Sequence, residues 1–187
     1  MENRVLTEKG KELAFLLRHD KKAFKKGVID KFGWRKCDEL IENHGFTEEL
    51  LEEIVETNDK KRYEFNSDGD KIRARQGHSI PVDMSFSEYV GSKDFLYHGT
   101  DGRFISSIKK NGIRKQTREY VHLSGDLETA EKVGKRHGAH LFVIKVDSKK
   151  MMEDGVKIYL STNDVYLTDY VDPKYFKEII NYGNQES

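Results

Sequence analysis

The sequence predicts an α+β protein of two lobes: an N-terminal winged-helix lobe over residues 1–88 and a C-terminal lobe built on a mostly antiparallel sheet over residues 89–187. Three observations predict it. Apolar residues recur at helical spacing in the first half, a hairpin pattern with turn chemistry closes that half, and the second half turns to short β-rich runs interrupted by two helical segments.

The first helix is expected from about Glu8 to Arg18 after a Thr7 cap, since Leu13, Leu16 and Leu17 form one apolar stripe. An extended piece over Val28–Trp34 and a short helix over Asp38–Glu42 follow. Thr47 then opens a Thr-Glu-Glu-Leu run in which Leu50, Leu51, Ile54 and Val55 again fall at helical spacing. Tyr63–Phe65 and Lys71–Arg75, separated by Asn66-Ser67-Asp68-Gly69-Asp70, read as a hairpin. Its second strand directs Ile72 and Ala74 inward and Lys71, Arg73 and Arg75 to the opposite face. The boundary between lobes falls between about Val82 and Lys93, just after Pro81.

In the second half, strands are expected at Phe95–Tyr97, Tyr120–Leu123, Leu141–Val146, Val156–Leu160 and Val165–Leu167. One helix runs from about Arg103 to Lys110 and stops at Asn111-Gly112; another runs from Asp126, its cap, to about Arg136.

Lysine plus arginine and aspartate plus glutamate each total 33, so no global field draws a polyanion and any such binding needs a local patch. Between Arg18 and Lys36 eight basic residues stand against Asp20 and Asp30. Such a run reads either as solvated surface or, with Lys71, Arg73 and Arg75 on the same lobe, as a track for a phosphate backbone. The lone cysteine, Cys37, excludes an internal disulfide and a thiolate metal site, and reads as a small semi-buried residue beside a helix. No apolar run reaches the ~20 residues of a spanning helix and no signal core is visible, so an intracellular, cytoplasmic protein is expected.

Four features carry chemistry: Arg18-His19, Arg73 in IRARQGHS (72–79), YHGT (97–100) and Arg136 in VGKRHG (133–138). Taken singly, each has a plain structural reading, such as cations at a helix C-terminus. Taken together, guanidinium forks suit phosphate oxygens and a histidine suits proton transfer near neutrality. YHGT puts His98 at a strand end, with Gly99 letting backbone approach a ligand and Thr100 offering a hydroxyl. His122 and Ser124 stand likewise in VHLS (121–124), and the helix opening at Asp126–Thr129 offers amides to a pyrophosphate. Walker, Rossmann and His-Glu-x-x-His patterns are absent, and His137 and His140 flank a Gly-Ala loop rather than a metal-binding helix.

From LLRH (16–19) through FGW (32–34), DKKRYEF (59–65), IRARQGHSIPVDM (72–84), YHGT, VHLS and TAEKVGKRHG (129–138) to STNDVYLT (161–168), the chain resembles the RNA 2′-phosphotransferases, of which tRNA 2′-phosphotransferase is the namesake. The resemblance implies a winged-helix RNA-binding lobe joined to an ADP-ribosyltransferase-like, NAD-binding lobe, acting in RNA processing such as tRNA splicing; with no sequence feature that points to an oligomer, a monomer is expected. It implies a metal-free reaction in two steps. An RNA 2′-phosphate attacks the nicotinamide ribose of NAD and expels nicotinamide; the ADP-ribose O2″ then attacks phosphorus, releasing 2′-hydroxyl RNA and ADP-ribose 1″,2″-cyclic phosphate. The family's catalytic tetrad falls on Arg18, His19, Arg73 and Arg136, the arginines clamping phosphate and His19 moving a proton toward the leaving RNA oxygen. His98, Gly99, Thr100, His122 and Ser124 match its NAD-contacting motifs, and Val165 stands where other ADP-ribosyltransferases carry a glutamate. The segment after His19 is more basic than in many relatives and lacks their frequent proline, and no contacts are assigned between Gly112 and Tyr120. Two other readings fit parts of the pattern: an enzyme that caps terminal phosphates of RNA or DNA with ADP-ribose, and a non-enzymatic nucleic-acid binder whose second lobe senses NAD or ADP-ribose.

Overall fold

A computed structural model of the chain describes residues 2–184 and shows an α+β protein with antiparallel sheets. The chain divides into two compact units, Met1–Ser85 and Phe86–Ser187.

The first unit runs α1 (Glu2–Arg18), α2 (Lys21–Lys25), β1 (Arg35–Lys36), α3 (Cys37–His44), α4 (Glu48–Glu56), β2 (Tyr63–Phe65) and β3 (Lys71–Ala74). Helix α1 starts a turn and a half earlier than expected. Thr7 lies inside it rather than capping it, because Leu6 already packs on the core and the Arg4–Glu8 pair supports the first turns. Leu13, Leu16 and Leu17 meet Leu40, Phe46, Leu51, Ile54, Ile72 and Ala74, each such large side chain contributing roughly 1.5–3 kcal/mol by burial. Thr47 caps α4, accepting from the Leu50 amide at 3.2 Å.

Residues 28–34 do not form the expected extended piece. Asp30 accepts from the amides of Phe32 and Trp34, folding them into a turn, and Gly33 sits at φ +83°, which side chains other than glycine resist. Only Ile29 makes a bridge, to Arg35. Strand β3 lies between β1 and β2, with Ile72 opposite both Arg35 and Phe65. Cys37 opens α3 buried, and burial pushes its thiol up to about 11, leaving it inert.

The second unit contains β4 (Ser87–Glu88), β5 (Phe95–Asp101), α5 (Gly102–Asn111), β6 (Ile113–Arg114), β7 (Val121–Ser124), α6 (Leu127–Gly134), β8 (His140–Asp147), α7 (Ser148–Glu153), β9 (Tyr159–Leu160), β10 (Val165–Thr168), β11 (Tyr170–Val171), a 3-10 turn (Pro173–Tyr175) and β12 (Phe176–Asn184). Its main sheet has the order β12-β8-β5-β7-β10-β9-β4. Leu96, Val121, Leu123, Ile144 and Val146 pack one face; Ala130 of α6 packs Leu141 and Val143 on the other. The strand expected over Val156–Leu160 shortens to Tyr159–Leu160.

The sheet is closely laddered on one side of β5 and parted on the other. β5 pairs with β8 from Phe95 to Asp101, yet registers with β7 at Tyr97–Ser124 alone among the described residues. Beyond that pair the His98 ring, rather than backbone, crosses to β7, with Nδ1 3.1 Å from the His122 carbonyl. No helix is long and apolar enough to cross a membrane among the described residues.

Candidate active site

In the first unit, strand β3 does not stop the alternation of burial when its pairing ends. Ile72, Ala74, Gln76, His78 and Ile80 stay buried while Arg73, Arg75 and Ser79 lie on the other side. This ribbon runs against the C-terminus of α1, where the Ser79 amide donates to the Arg18 carbonyl at 2.9 Å, satisfying a helix-end acceptor. The Ser79 hydroxyl then meets His19 Nδ1 at 2.9 Å and lies 3.5 Å from the same carbonyl. With the hydroxyl proton directed to that carbonyl, Nδ1–H donates to Ser79 and Nε2 is the nitrogen that exchanges a proton with a substrate.

Arg18 extends over Tyr63 with its guanidinium carbon 5.6 Å from the ring centroid. Arg73 projects from β3, donates from Nε to Glu64 at 2.7 Å and from Nη1 to the Phe32 carbonyl at 3.3 Å, and its guanidinium carbon lies 4.3 Å from the Trp34 ring centroid. Glu64 also meets Arg75 at 3.4 Å, so one carboxylate faces two arginines. Arg18, His19 and Arg73 converge on His78. This ring is 3% exposed, and burial first, then the charges of Arg18, His19 and Arg73, push its pKa down to about 3. A neutral imidazole therefore underlies two guanidinium groups and the His19 ring, which is the electrostatic character an anion site needs.

Beneath this trio lies a buried hub. Arg35, 2% exposed, holds Glu39 through two nitrogens, Asp20 at 3.2 Å and the Leu16 carbonyl at 3.0 Å. Two of those partners bracket Arg18-His19 in the chain, so Arg35 pins the end of α1 from below.

In the second unit, His98 lies in the middle of β5 rather than at a strand end, because the strand continues to Asp101. Burial lowers its pKa, reinforced by His137 and Arg118 and opposed by its hydrogen bond to the His122 carbonyl, so the ring is neutral at neutral pH. Thr100, 5% exposed, pairs with Phe142. Gly99 has a structural duty. A Cβ there would strike the Ala130 carbonyl and sit 2.7 Å from the Gly134 amide, so glycine lets α6 seat on β5. Ser124 closes β7 opposite Val165.

The amides at the start of α6 are partly committed as well. Asp126 caps the helix by accepting from the Thr129 amide at 2.7 Å. Helix α6 ends at Gly134, and Arg136 stands exposed in the turn beyond; burial, then the charges of Arg118 and Arg136, lower the His137 pKa.

Arg118 is the residue that sequence reasoning misses; it sits between Gly112 and Tyr120, where the sequence alone assigns no contacts. Its guanidinium meets His122 Nδ1 at 3.0 Å, and its charge reaches His98 and His137. Arg103 joins the same group by donating to the His137 carbonyl at 2.8 Å while bound to Asp101 at 2.7 Å. Arg118 thus stands against His122, while Arg103 and Arg136 flank His137. Among the described residues no group of three or more His, Cys, Asp or Glu side chains is arranged to hold a metal ion.

A family model described as "RNA 2'-phosphotransferase, Tpt1 / KptA family" matches residues 4–170. A protein of Flavobacterium johnsoniae named "Probable RNA 2'-phosphotransferase" is 45% identical over 183 residues, covering 95% of this chain and 98% of its own. One of Fusobacterium nucleatum with the same name is 43% identical, covering 90% and 96% respectively. One of Escherichia coli, again so named, is 42% identical, covering 89% and 92%.

Proposed function

We propose that this chain, which belongs to the RNA 2′-phosphotransferase family, transfers an internal RNA 2′-phosphate to NAD, giving 2′-hydroxyl RNA, nicotinamide and ADP-ribose 1″,2″-cyclic phosphate without a metal. In this reading the first unit is a winged-helix RNA-binding lobe and the second an ADP-ribosyltransferase-like lobe. The chain acts as a cytoplasmic monomer on a tRNA-like RNA, as in tRNA splicing.

The observation that carries the proposal is that the ribbon bearing Arg73 runs on to buried His78 and to Ser79, which joins both the Arg18 carbonyl and the His19 ring. Planar guanidinium groups bind phosphate oxygens in pairs and stay charged at any working pH. Charge that accumulates on phosphorus-bound oxygens is stabilised best by donors already fixed in place, and Arg73 is fixed by Glu64 and Trp34. His19, with Nδ1 on Ser79, presents Nε2 as the general acid that protonates the departing RNA oxygen. Arg136, in the second unit, matches the fourth member of the tetrad that the sequence resemblance implies.

The residues at the parted edge of β5 and β7 fit NAD. Arg103 and Arg118 suit its pyrophosphate, Gly99 keeps the strand slim, and neutral His98 with His122, Thr100 and Ser124 supplies hydrogen-bonding groups without adding charge beside a cationic nicotinamide ring. When bound, NAD supplies the electrophilic ribose carbon that accepts the phosphate.

Incubation with NAD and an RNA bearing one internal 2′-phosphate, in chelator, tests the reading. Loss of the phosphate with appearance of ADP-ribose cyclic phosphate is expected. A retained phosphate overturns the proposal, and ADP-ribose left attached to a terminal RNA phosphate indicates capping instead.

A further inference from the structure

Around Arg18, His19 and Arg73 of the first unit lie groups that a lone phosphate does not use. Phe15 is 54% exposed on the last turns of α1, with its ring centroid 6.4 Å from that of His19. Phe32 is 39% exposed at the tip of the Asp30–Gly33 turn; its carbonyl accepts from Arg73, and Lys31 Nζ lies 4.9 Å from its ring centroid. Two outward-facing rings therefore flank the same three side chains, one beside His19 and one beside Arg73.

Between them in the chain, α2 and the following turn carry Lys21, Lys22, Lys25, Lys26 and Lys31, all exposed. No ion pair engages these lysines among the described residues; Asp20 and Asp30, the acids within this stretch, are occupied by Arg35 and by backbone amides. Aromatic rings carry large apolar area that is normally buried, and unpaired lysine runs repel one another, so this combination lacks an internal rationale. It matches what single-stranded nucleic acid demands: π faces on which bases stack, and cations that follow the backbone between them.

Building on the phosphotransferase reading above, we propose that Phe15 and Phe32 are stacking platforms for the two nucleobases flanking the 2′-phosphate, with the α2 lysines tracking the phosphates of the same single strand. The enzyme would thereby read an unpaired, splayed junction rather than the phosphate alone. A junction held in a continuous duplex would be a poor substrate, because its bases are already stacked on their neighbours.

The full chain is tested with a short single-stranded RNA carrying an internal 2′-phosphate and 2-aminopurine on its 5′ or 3′ side, binding being read by fluorescence without NAD. Wild type should quench both probes. Phe15→Ala and Phe32→Ala should each abolish quenching of one probe and weaken binding at least fivefold, while Phe15→Trp and Phe32→Trp retain it. Phe104→Ala, a change at a ring 50% exposed in the second unit, should leave both signals intact. Replacing Lys21, Lys22, Lys25 and Lys26 with glutamine should flatten the dependence of log affinity on log salt by about 0.7 for each RNA phosphate that the variant no longer neutralises. Wild-type turnover with unaltered binding and quenching in both alanine variants overturns the stacking inference alone. A wild-type protein that neither binds this RNA nor removes its phosphate overturns both.

Discussion

Arg35→Met is the most informative single change in the first unit. The guanidinium is 2% exposed and joins Glu39, Asp20 and the Leu16 carbonyl, so methionine fills much of its volume while leaving two carboxylates and a carbonyl without their shared donor. Removing one side of a buried ion pair costs about 3–5 kcal/mol, because the abandoned charge pays its desolvation unaided. For a unit this small that is a large share of total stability. The chain's single tryptophan, Trp34, is the preceding residue, so its fluorescence during urea unfolding reports on this unit specifically. A lowered midpoint at unchanged slope is expected, and adding Glu39→Gln should restore part of the loss.

The deficit should also depend on pH. Glu39 titrates below its ordinary value, chiefly through its hydrogen bond from Arg35; at Asp20 burial pushes the pKa up but is outweighed by hydrogen bonds from the Ala23 amide and Arg35. Groups with lowered folded pKa values stabilise above their unfolded values and lose that contribution as pH falls. The gap between wild type and Arg35→Met should therefore narrow as pH falls below about 4.5. A midpoint within about 0.5 kcal/mol of wild type at neutral pH would refute the buried-hub account.

Other changes probe the remaining contacts. Gly99→Ala should destabilise the second unit by about 3 kcal/mol, at the upper end for overpacking, since the struck atoms are α6 backbone; an unshifted far-UV melt would show that α6 yields. His78, held neutral down to about pH 3, takes up a proton only on unfolding, so the first unit should lose stability as pH falls below about 6.5 and His78→Gln should flatten that slope. An identical acid slope in the variant would refute this. Ser79→Ala should lower kcat about tenfold with little change in KM, move the pH profile, and alter the His19 tautomer seen in long-range nitrogen NMR spectra, with Ser79→Thr restoring all three. An unchanged tautomer would show that Ser79 serves packing alone.

Long apolar stripes and explicit caps were the legible parts of the fold. Thr47 and Asp126 cap the helices expected of them, and Ile72 and Ala74 are buried as period two requires. Short elements were not legible. Helix α2 spans five residues, too few to display a period, and β12 was missed because irregularities between Phe176 and Glu178 and between Asn181 and Asn184 break its alternation. Helix α7 likewise rests on one cap, Asp147, and a single turn and a half of pattern.

At the candidate site, Arg18, His19 and Arg73 stand out in the sequence because guanidinium and imidazole groups suit phosphate chemistry. Arg35 and Ser79 could not, because nothing in the order of residues 16 to 79 says which side chain meets the end of α1. Gly99 is legible as a glycine that something approaches closely; that α6 seats against it is a tertiary fact.

The parting of β5 from β7 has a consequence for how the second unit comes undone. A sheet laddered across β12, β8 and β5, and separately across β7, β10, β9 and β4, contains two cooperative blocks stitched at Tyr97–Ser124 and by the His98 ring. Amide protons along the facing edges of β5 and β7 should exchange through local opening long before those of β8, which is covered on both sides. A ligand seated in the gap would weld the blocks, slowing exchange in both at once and merging their melting into one transition.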